Sequence, residues 1–156
     1  TTEIYTLSLH DALPIFRIEK KSGKILVDHF ASTFDVGQVI NPLQIRGSVL
    51  GGVMMAIGAT LYEKVEFDKD GKILNPHLFK YHLPTYKEAP KQTIEFIENP
   101  GTVGPFGARG IGEHSVIGPA PSILNAVYDA LGVDFFEIPL TPDIIKKAIA
   151  EKQQKE

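Results

Sequence analysis

The stretch Leu43-Gln44-Ile45-Arg46-Gly47-Ser48-Val49-Leu50-Gly51-Gly52-Val53-Met54-Met55-Ala56-Ile57-Gly58-Ala59-Thr60-Leu61-Tyr62-Glu63 decides the fold class. Val49/Leu50, Val53/Met54, Ile57 and Leu61 recur at three- and four-residue steps, which puts them on one face of a helix. Around this run the period is two. Upstream, Arg17–Lys20 and Lys24–Ala31 read as short strands about the turn Lys21-Ser22-Gly23. The second strand would carry Ile25, Val27 and His29 on one face and Leu26, Asp28 and Phe30 on the other. The turn-rich run Asp35-Val36-Gly37-Gln38-Val39-Ile40-Asn41-Pro42 should end it. Downstream, Lys64–Phe67 and Lys72–Leu74 flank the turn Asp68-Lys69-Asp70-Gly71 as a hairpin, and Thr93–Glu98 is a further strand. One long helix among strands without regular βαβ spacing predicts an α+β fold, with mixed sheets and packed helices.

The helix is rich in glycine. Gly47, Gly51, Gly52 and Gly58 lie in its span, although glycine costs about 1 kcal/mol against alanine in a helix interior. That composition implies close approach of another backbone or a large ligand, or tight packing on a sheet. Further on, Asn75–Pro90 reads as an irregular surface connection containing His77 and His82. Ile123, Ala126/Val127 and Ala130/Leu131 form the apolar stripe of a second helix stopped by Gly132. Phe135–Ile138 reads as a short strand. A last helix opens with Thr141 as N-cap and Pro142 at its first position, packs through Ile145, Ala148 and Ile149, and gives way to a polar tail at 151–156.

Bulk properties exclude several classes. A net charge of −3 with no basic stripe gives no footprint for nucleic acid. No apolar run approaches the roughly 20 residues that span a bilayer, so no membrane partner is expected. The absence of cysteine removes disulfides, thiolate catalysis and iron–sulfur ligation by this chain, and fits a reducing, cytoplasmic setting. His29, His77, His82 and His114 show no H-x-H or H-E-x-x-H spacing, so no metal bound by side chains is expected. The turn Asp68–Gly71 resembles part of an EF-hand loop, but the later oxygen ligands are missing.

Residues 1–16 differ in character from the rest of the chain. The run Tyr5-Thr6-Leu7-Ser8-Leu9-His10-Asp11-Ala12-Leu13-Pro14-Ile15 resembles translated sequencing-adapter read-through. An ordinary N-terminal strand is the alternative, because the segment also alternates. On the adapter reading His10 and Asp11 are set aside, the domain occupies 17–150, and the chain is a fragment that has lost its true beginning.

The loop Gly104-Pro105-Phe106-Gly107-Ala108-Arg109-Gly110-Ile111-Gly112-Glu113-His114-Ser115 holds the candidate chemistry. Its glycines fit neither a dinucleotide fingerprint nor a P-loop. They expose backbone N–H groups near a helix start, which suits anionic or carbonyl oxygens. Arg109 adds a permanent planar cation. A partly desolvated Glu113 could act as a general base, or it could simply favour the following helix N-terminus. The residues alone leave both open.

Several stretches together resemble the xanthine dehydrogenase/aldehyde oxidase family, specifically the second, C-terminal molybdopterin-binding domain of the large subunit. They are Asp35-Val36-Gly37…Ile40-Asn41-Pro42, Gly47…Gly51-Gly52…Ile57-Gly58…Leu61-Tyr62-Glu63, Leu83-Pro84-Thr85, Gly107-Ala108-Arg109-Gly110-Ile111-Gly112-Glu113, Asn125-Ala126…Asp129-Ala130-Leu131-Gly132 and Leu140-Thr141-Pro142, in family order. The resemblance implies a molybdenum–molybdopterin cofactor, the cytosine dinucleotide form being one option, held by its pterin dithiolene rather than by side chains. It implies that Glu113 takes the proton from a molybdenum-bound hydroxide as the oxygen attacks an electron-poor C–H carbon of a purine-like N-heterocycle or an aldehyde. The inserted oxygen would come from water. Gly107, Ala108, Gly110, Ile111 and Gly112 would line the cofactor, with Arg109 near its polar part. Met55 stands where the family often has a glutamine near the molybdenum, and Ser48 where Gly-Gln is common. The implied partners are a missing first molybdopterin domain, iron–sulfur and FAD subunits or domains, and a small-molecule substrate. The fragment alone would be inactive and would expose a large apolar face. The rival reading is a non-catalytic assembly module or relic of the same fold that binds a partner subunit.

Overall fold

The computed structural model describes residues 10–153. Three strands form one mixed sheet in the order β1-β2-β3: β1 is His10–Ile18, β2 is Ile25–Asp35 and β3 is Lys91–Ile97. β1 and β2 are an antiparallel hairpin, whereas β2 and β3 run parallel from the pair His29/Lys91 to the pair Asp35/Ile97. The long helix α1, Pro42–Leu61, lies in the crossover between the parallel strands. Then come the single turn α2, His114–Ile117, the helix α3, Pro119–Leu131, and the helix α4, Pro142–Gln153.

The sheet departs from the sequence pattern in one informative way. The β1–β2 register shifts between Ile15, opposite His29, and Phe16, opposite Val27, so Asp28 is an extra residue on β2. A bulge of this kind inverts the inward phase of everything beyond it. Ile25 and Val27 point inward before the bulge and Phe30, Ser32 and Phe34 after it. His29 therefore leaves the face it was expected to share with Ile25 and Val27, and its Nε2 lies 2.8 Å from the Thr93 hydroxyl. The displaced Asp28 is gripped by Arg17 through two contacts of 2.7 and 2.8 Å.

β1 also begins before Arg17, the expected start of the domain. Residues 10–16 pair with β2, Ala12 and Phe16 packing on the core while Leu13 and Ile15 stay exposed. Edge pairing rests on backbone hydrogen bonds and alternation, so it is indifferent to where a segment came from. The first nine residues of the chain, which include the start of the adapter-like stretch, lie outside the described residues. The expected strand at Phe135–Ile138 does not form: that segment is irregular, with Phe136 and Ile138 exposed. Its pattern suits a strand, but no neighbouring strand among the described residues offers it a ladder. The expected hairpin at 64–74 shrinks to a single antiparallel bridge between Phe67 and Ile73. α4 runs on to Gln153, so the first residues of the polar tail are helical.

The helices form where their signals lie. Asn41 caps α1 by accepting from the Gln44 N–H at 3.1 Å, and Pro42 occupies the first turn, where no donor is needed. Val49, Val53, Ile57 and Leu61 of α1 meet Phe30, Phe34 and Val36 of the sheet side, and Ile123, Val127 and Ile145 close the same core. Burying a side chain such as Ile57 fully is worth roughly 1.5–3 kcal/mol. Gly132 ends α3 in the left-handed conformation at φ 67°, its N–H donating to the Tyr128 carbonyl.

α1 is nevertheless apolar on its outer side as well. Leu43, Leu50 and Met55 are exposed beside Gly47 and Gly51, and at those two glycines a β-carbon would meet nothing within 4 Å. The exposed surface of α1 also carries Gln44, Arg46 and Ser48 toward its N-terminal end. Gly52 is the opposite case, because its β-carbon would land on the Ser115 hydroxyl. Adjacent substitutions should thus differ in sign. Gly51→Ala should stabilise the chain by up to about 1 kcal/mol through helix propensity, whereas Gly52→Ala should destabilise it by about 1–3 kcal/mol through overpacking. Urea denaturation of the two variants reads both effects.

Candidate active site

Because β2 and β3 are parallel, their C-terminal ends leave the sheet at one edge, and two loops spring from it: 36–41 after Asp35 and 98–113 after Ile97. The loops interlock. The Gly107 carbonyl accepts from the Gln38 N–H at 3.2 Å and the Gly101 N–H at 2.9 Å, and the Val36 carbonyl accepts from the Arg109 N–H at 2.9 Å. Gly37, at φ 65°, lies against the Gly107 carbonyl so closely that a β-carbon would strike it. Phe106 at φ 54° and Gly107 at φ 75° reverse the second loop so that it can reach the first. A left-handed conformation is unusual for phenylalanine, and its exposed ring lies at the loop tip.

Side chains brace the same junction. The Asp35 carboxylate lies 3.5 Å from Arg109 Nη1 and accepts the Gly37 N–H at 3.1 Å. Arg109 Nη2 donates to the Asn99 carbonyl at 3.3 Å, and Asn99 Nδ2 faces Asp35 at 3.5 Å. Beside the brace opens a cleft of about 230 Å³ lined by Gln38, Asn41, Gln44, Ser48, Arg109 and Ile111, with Val36, Ile40, Ile45 and Ala108. The N-terminal turns of α1 form one wall and the glycine loop the other.

The structure thus gathers some of the expected residues and separates others. Ala108, Arg109 and Ile111 share the cleft with Ser48. Gly107 is buried beneath it as the interlock. Gly110 and Gly112 are exposed outside it, and a β-carbon at either would meet no atom within 4 Å. Met55 is 62% exposed, further along the α1 stripe that carries Ser48 and Gly52. Glu113 is exposed at the N-cap position of α2, but its side chain does not cap the helix. Only its carbonyl is engaged, accepting the Val116 N–H at 3.0 Å. The carboxylate makes no hydrogen bond or ion pair among the described residues. The partly desolvated pocket expected around Glu113 is therefore not made by this chain's described residues. The place of Glu113 at the N-terminus of α2 is the one the alternative reading gave it.

The Arg109 guanidinium contacts Asp35 and the Asn99 carbonyl. Sequence reasoning missed Asp35, Asn99, Gln38 and Gln44. The one signal for them was Asp35-Val36-Gly37, whose glycine marks a turn without revealing what the turn touches. Among the described residues, no group of three or more His, Asp or Glu side chains converges as a metal site.

The junction makes a firm prediction. Gly37→Ala combines a disfavoured φ with a collision at the Gly107 carbonyl, and should cost more than about 1 kcal/mol. Limited proteolysis should then cut within 98–113 faster than in the parent. Unchanged cutting would show that the interlock does not hold the loop.

The model of the molybdopterin cofactor-binding domain family matches residues 11–90, beginning inside β1 and ending before the glycine loop. The nicotine 6-hydroxylase large subunit of Paenarthrobacter nicotinovorans is 33% identical over 137 residues, covering 86% of this chain and 17% of that subunit. A putative xanthine dehydrogenase molybdenum-binding subunit of Escherichia coli K12 is 36% identical over 120 residues, 76% of this chain and 16% of that one. The crystal structure of quinoline 2-oxidoreductase from Pseudomonas putida 86 superposes with a TM-score of 0.83 at 32% identity, covering 88% of this chain and 18% of that chain. The chain thus spans 16–17% of the length of these two curated relatives.

Proposed function

The chain belongs to the molybdopterin cofactor-binding domain family, and from that premise we propose that it is the base-bearing portion of a molybdenum hydroxylase, with Glu113 as the base. The observation that carries the reading is the uncommitted Glu113 carboxylate, four residues beyond an anchored Arg109, on a strip of glycines whose faces stand open.

A molybdopterin group fits this surface. It carries its metal on its own dithiolene, so it needs no side-chain donor set. The open faces of Gly47, Gly51, Gly110 and Gly112 leave room for a large planar group, and exposed loop amides suit its polar atoms. Ala108, Ile111 and Ser48 would line it, and Met55 lies further along the same helix stripe. When bound, the cofactor supplies a two-electron acceptor and activated oxygen derived from water.

The work of this chain is then to place one proton acceptor. Glu113 would take a proton as oxygen transfers to an electron-poor carbon of a purine-like N-heterocycle or an aldehyde. Contacts from the rest of the enzyme would desolvate its carboxylate, which favours the neutral form and makes it a better base. The open outer side of α1 and the exposed Leu78, Phe79 and Tyr86 support a further molybdopterin domain lying against this one. Iron–sulfur and FAD centres would sit on other segments or subunits, since this chain has no cysteine. No helix among the described residues is long and apolar enough to cross a membrane, and a cytoplasmic location belongs to the same proposal.

In the intact enzyme, Glu113→Gln should lower turnover by about 10²–10⁴-fold, the usual contribution of a general base. Molybdenum content should stay at the parent level. Parent-like turnover in that variant would refute Glu113 as the base.

A further inference from the structure

One charged group at this edge of the sheet is largely withdrawn from solvent: the Asp35 side chain, 11% exposed. Its two oxygens serve different loops. Oδ1 accepts the Gly37 N–H at 3.1 Å and so fixes the left-handed turn of the first loop. Oδ2 faces Arg109 Nη1 and Asn99 Nδ2, both at 3.5 Å, and so reaches the second. Arg109 is then tied three ways: by its N–H to Val36, by Nη2 to the Asn99 carbonyl, and by Nη1 to Asp35. Beyond Arg109 the one remaining hold is Ile111, half-buried against the core, because Gly110 and Gly112 are exposed with open faces and Glu113 has no side-chain partner among the described residues.

We propose that Asp35 is a positioning residue, which through Arg109 sets where the glycine strip begins and hence where the Glu113 carboxylate lies. The proposal rests on the reading of Glu113 as base. It assigns Arg109 a bracing role in place of direct contact with the cofactor. Misplacing a reacting group by about 1 Å can cost on the order of 100-fold in rate. Ile111, half-buried against the core two residues on, keeps the strip from absorbing such a shift before it reaches Glu113.

The test uses the intact enzyme with its cofactor and partner chains. Asp35→Asn keeps a carbonyl oxygen for the Gly37 N–H and removes the charge facing Arg109. It should lower kcat by about tenfold while KM and molybdenum content stay within about twofold. Backbone amides of residues 107–113 should exchange hydrogen faster with and without cofactor, while those of α3 keep their parent rates. Arg109→Lys should reproduce this pattern and, combined with Asp35→Asn, add little further loss. Parent-like exchange at 107–113 in Asp35→Asn would overturn the proposal, as would loss of molybdenum from Arg109→Lys in step with activity. If Asp35→Asn does not accumulate as folded enzyme, Arg109→Lys alone decides by the same readouts. A fully active Glu113→Gln enzyme would remove the base while leaving the exchange result standing, so the two failures can be told apart.

Discussion

The contact between the Gly37 turn and the Gly107 carbonyl constrains everything else at this edge of the sheet. One carbonyl oxygen receives two N–H groups from two loops, and the space beside it admits no side-chain atom. Parallel pairing of β2 and β3 brings the loops to a common edge, but pairing alone would leave the glycine-rich chain from 98 to 113 without a fixed path. The interlock supplies the path, and the Asp35–Arg109–Asn99 contacts hold it from the side. The cleft, with Ser48 and Gln44 across from Ala108 and Ile111, is a consequence of that geometry.

Elements carrying their own signals were legible in the sequence. The 3.6-residue period and the Asn41-Pro42 start gave α1, the alternation of Thr93–Glu98 gave β3, and Gly132 gave the end of α3. What stayed hidden depended on partners distant in the chain. A bulge at Asp28 shows only when β2 is laid against β1, because each strand alone alternates acceptably on either phase. Phe135–Ile138 has a strand's composition and, among the described residues, no neighbour to pair with. At the site, the loop was visible as glycine excess and Glu113 as a carboxylate at its end. The role of Asp35 was not, since an aspartate at a strand end looks like any turn former until Arg109 folds back on it.

The glycines of α1 divide the helix by what they face. Gly52 and Gly58 are filled from within this chain, by Ser115 and by Pro84 with Glu63. Gly47 and Gly51 face nothing in it, alongside exposed Leu43, Leu50 and Met55. Sheet packing and close approach of a ligand or backbone stood as competing reasons for the composition. α1 meets part of its glycine requirement inside the domain and leaves the rest open, in a chain that spans about one sixth of the length of its curated relatives. Glu113 falls on the open side of the same division, exposed and without a side-chain partner among the described residues.

The most direct measurement is a crystal structure of the intact subunit with its molybdopterin cofactor bound. The account predicts that the cofactor lies along the strip Gly110–Gly112 and the α1 stripe bearing Ser48. It also predicts a Glu113 carboxylate oxygen within hydrogen-bond reach, about 2.6–3.2 Å, of the group whose proton it takes, with the Asp35–Arg109 pair intact behind it. A cofactor bound on another face of the domain, or a Glu113 carboxylate turned away to solvent in the loaded enzyme, would contradict it.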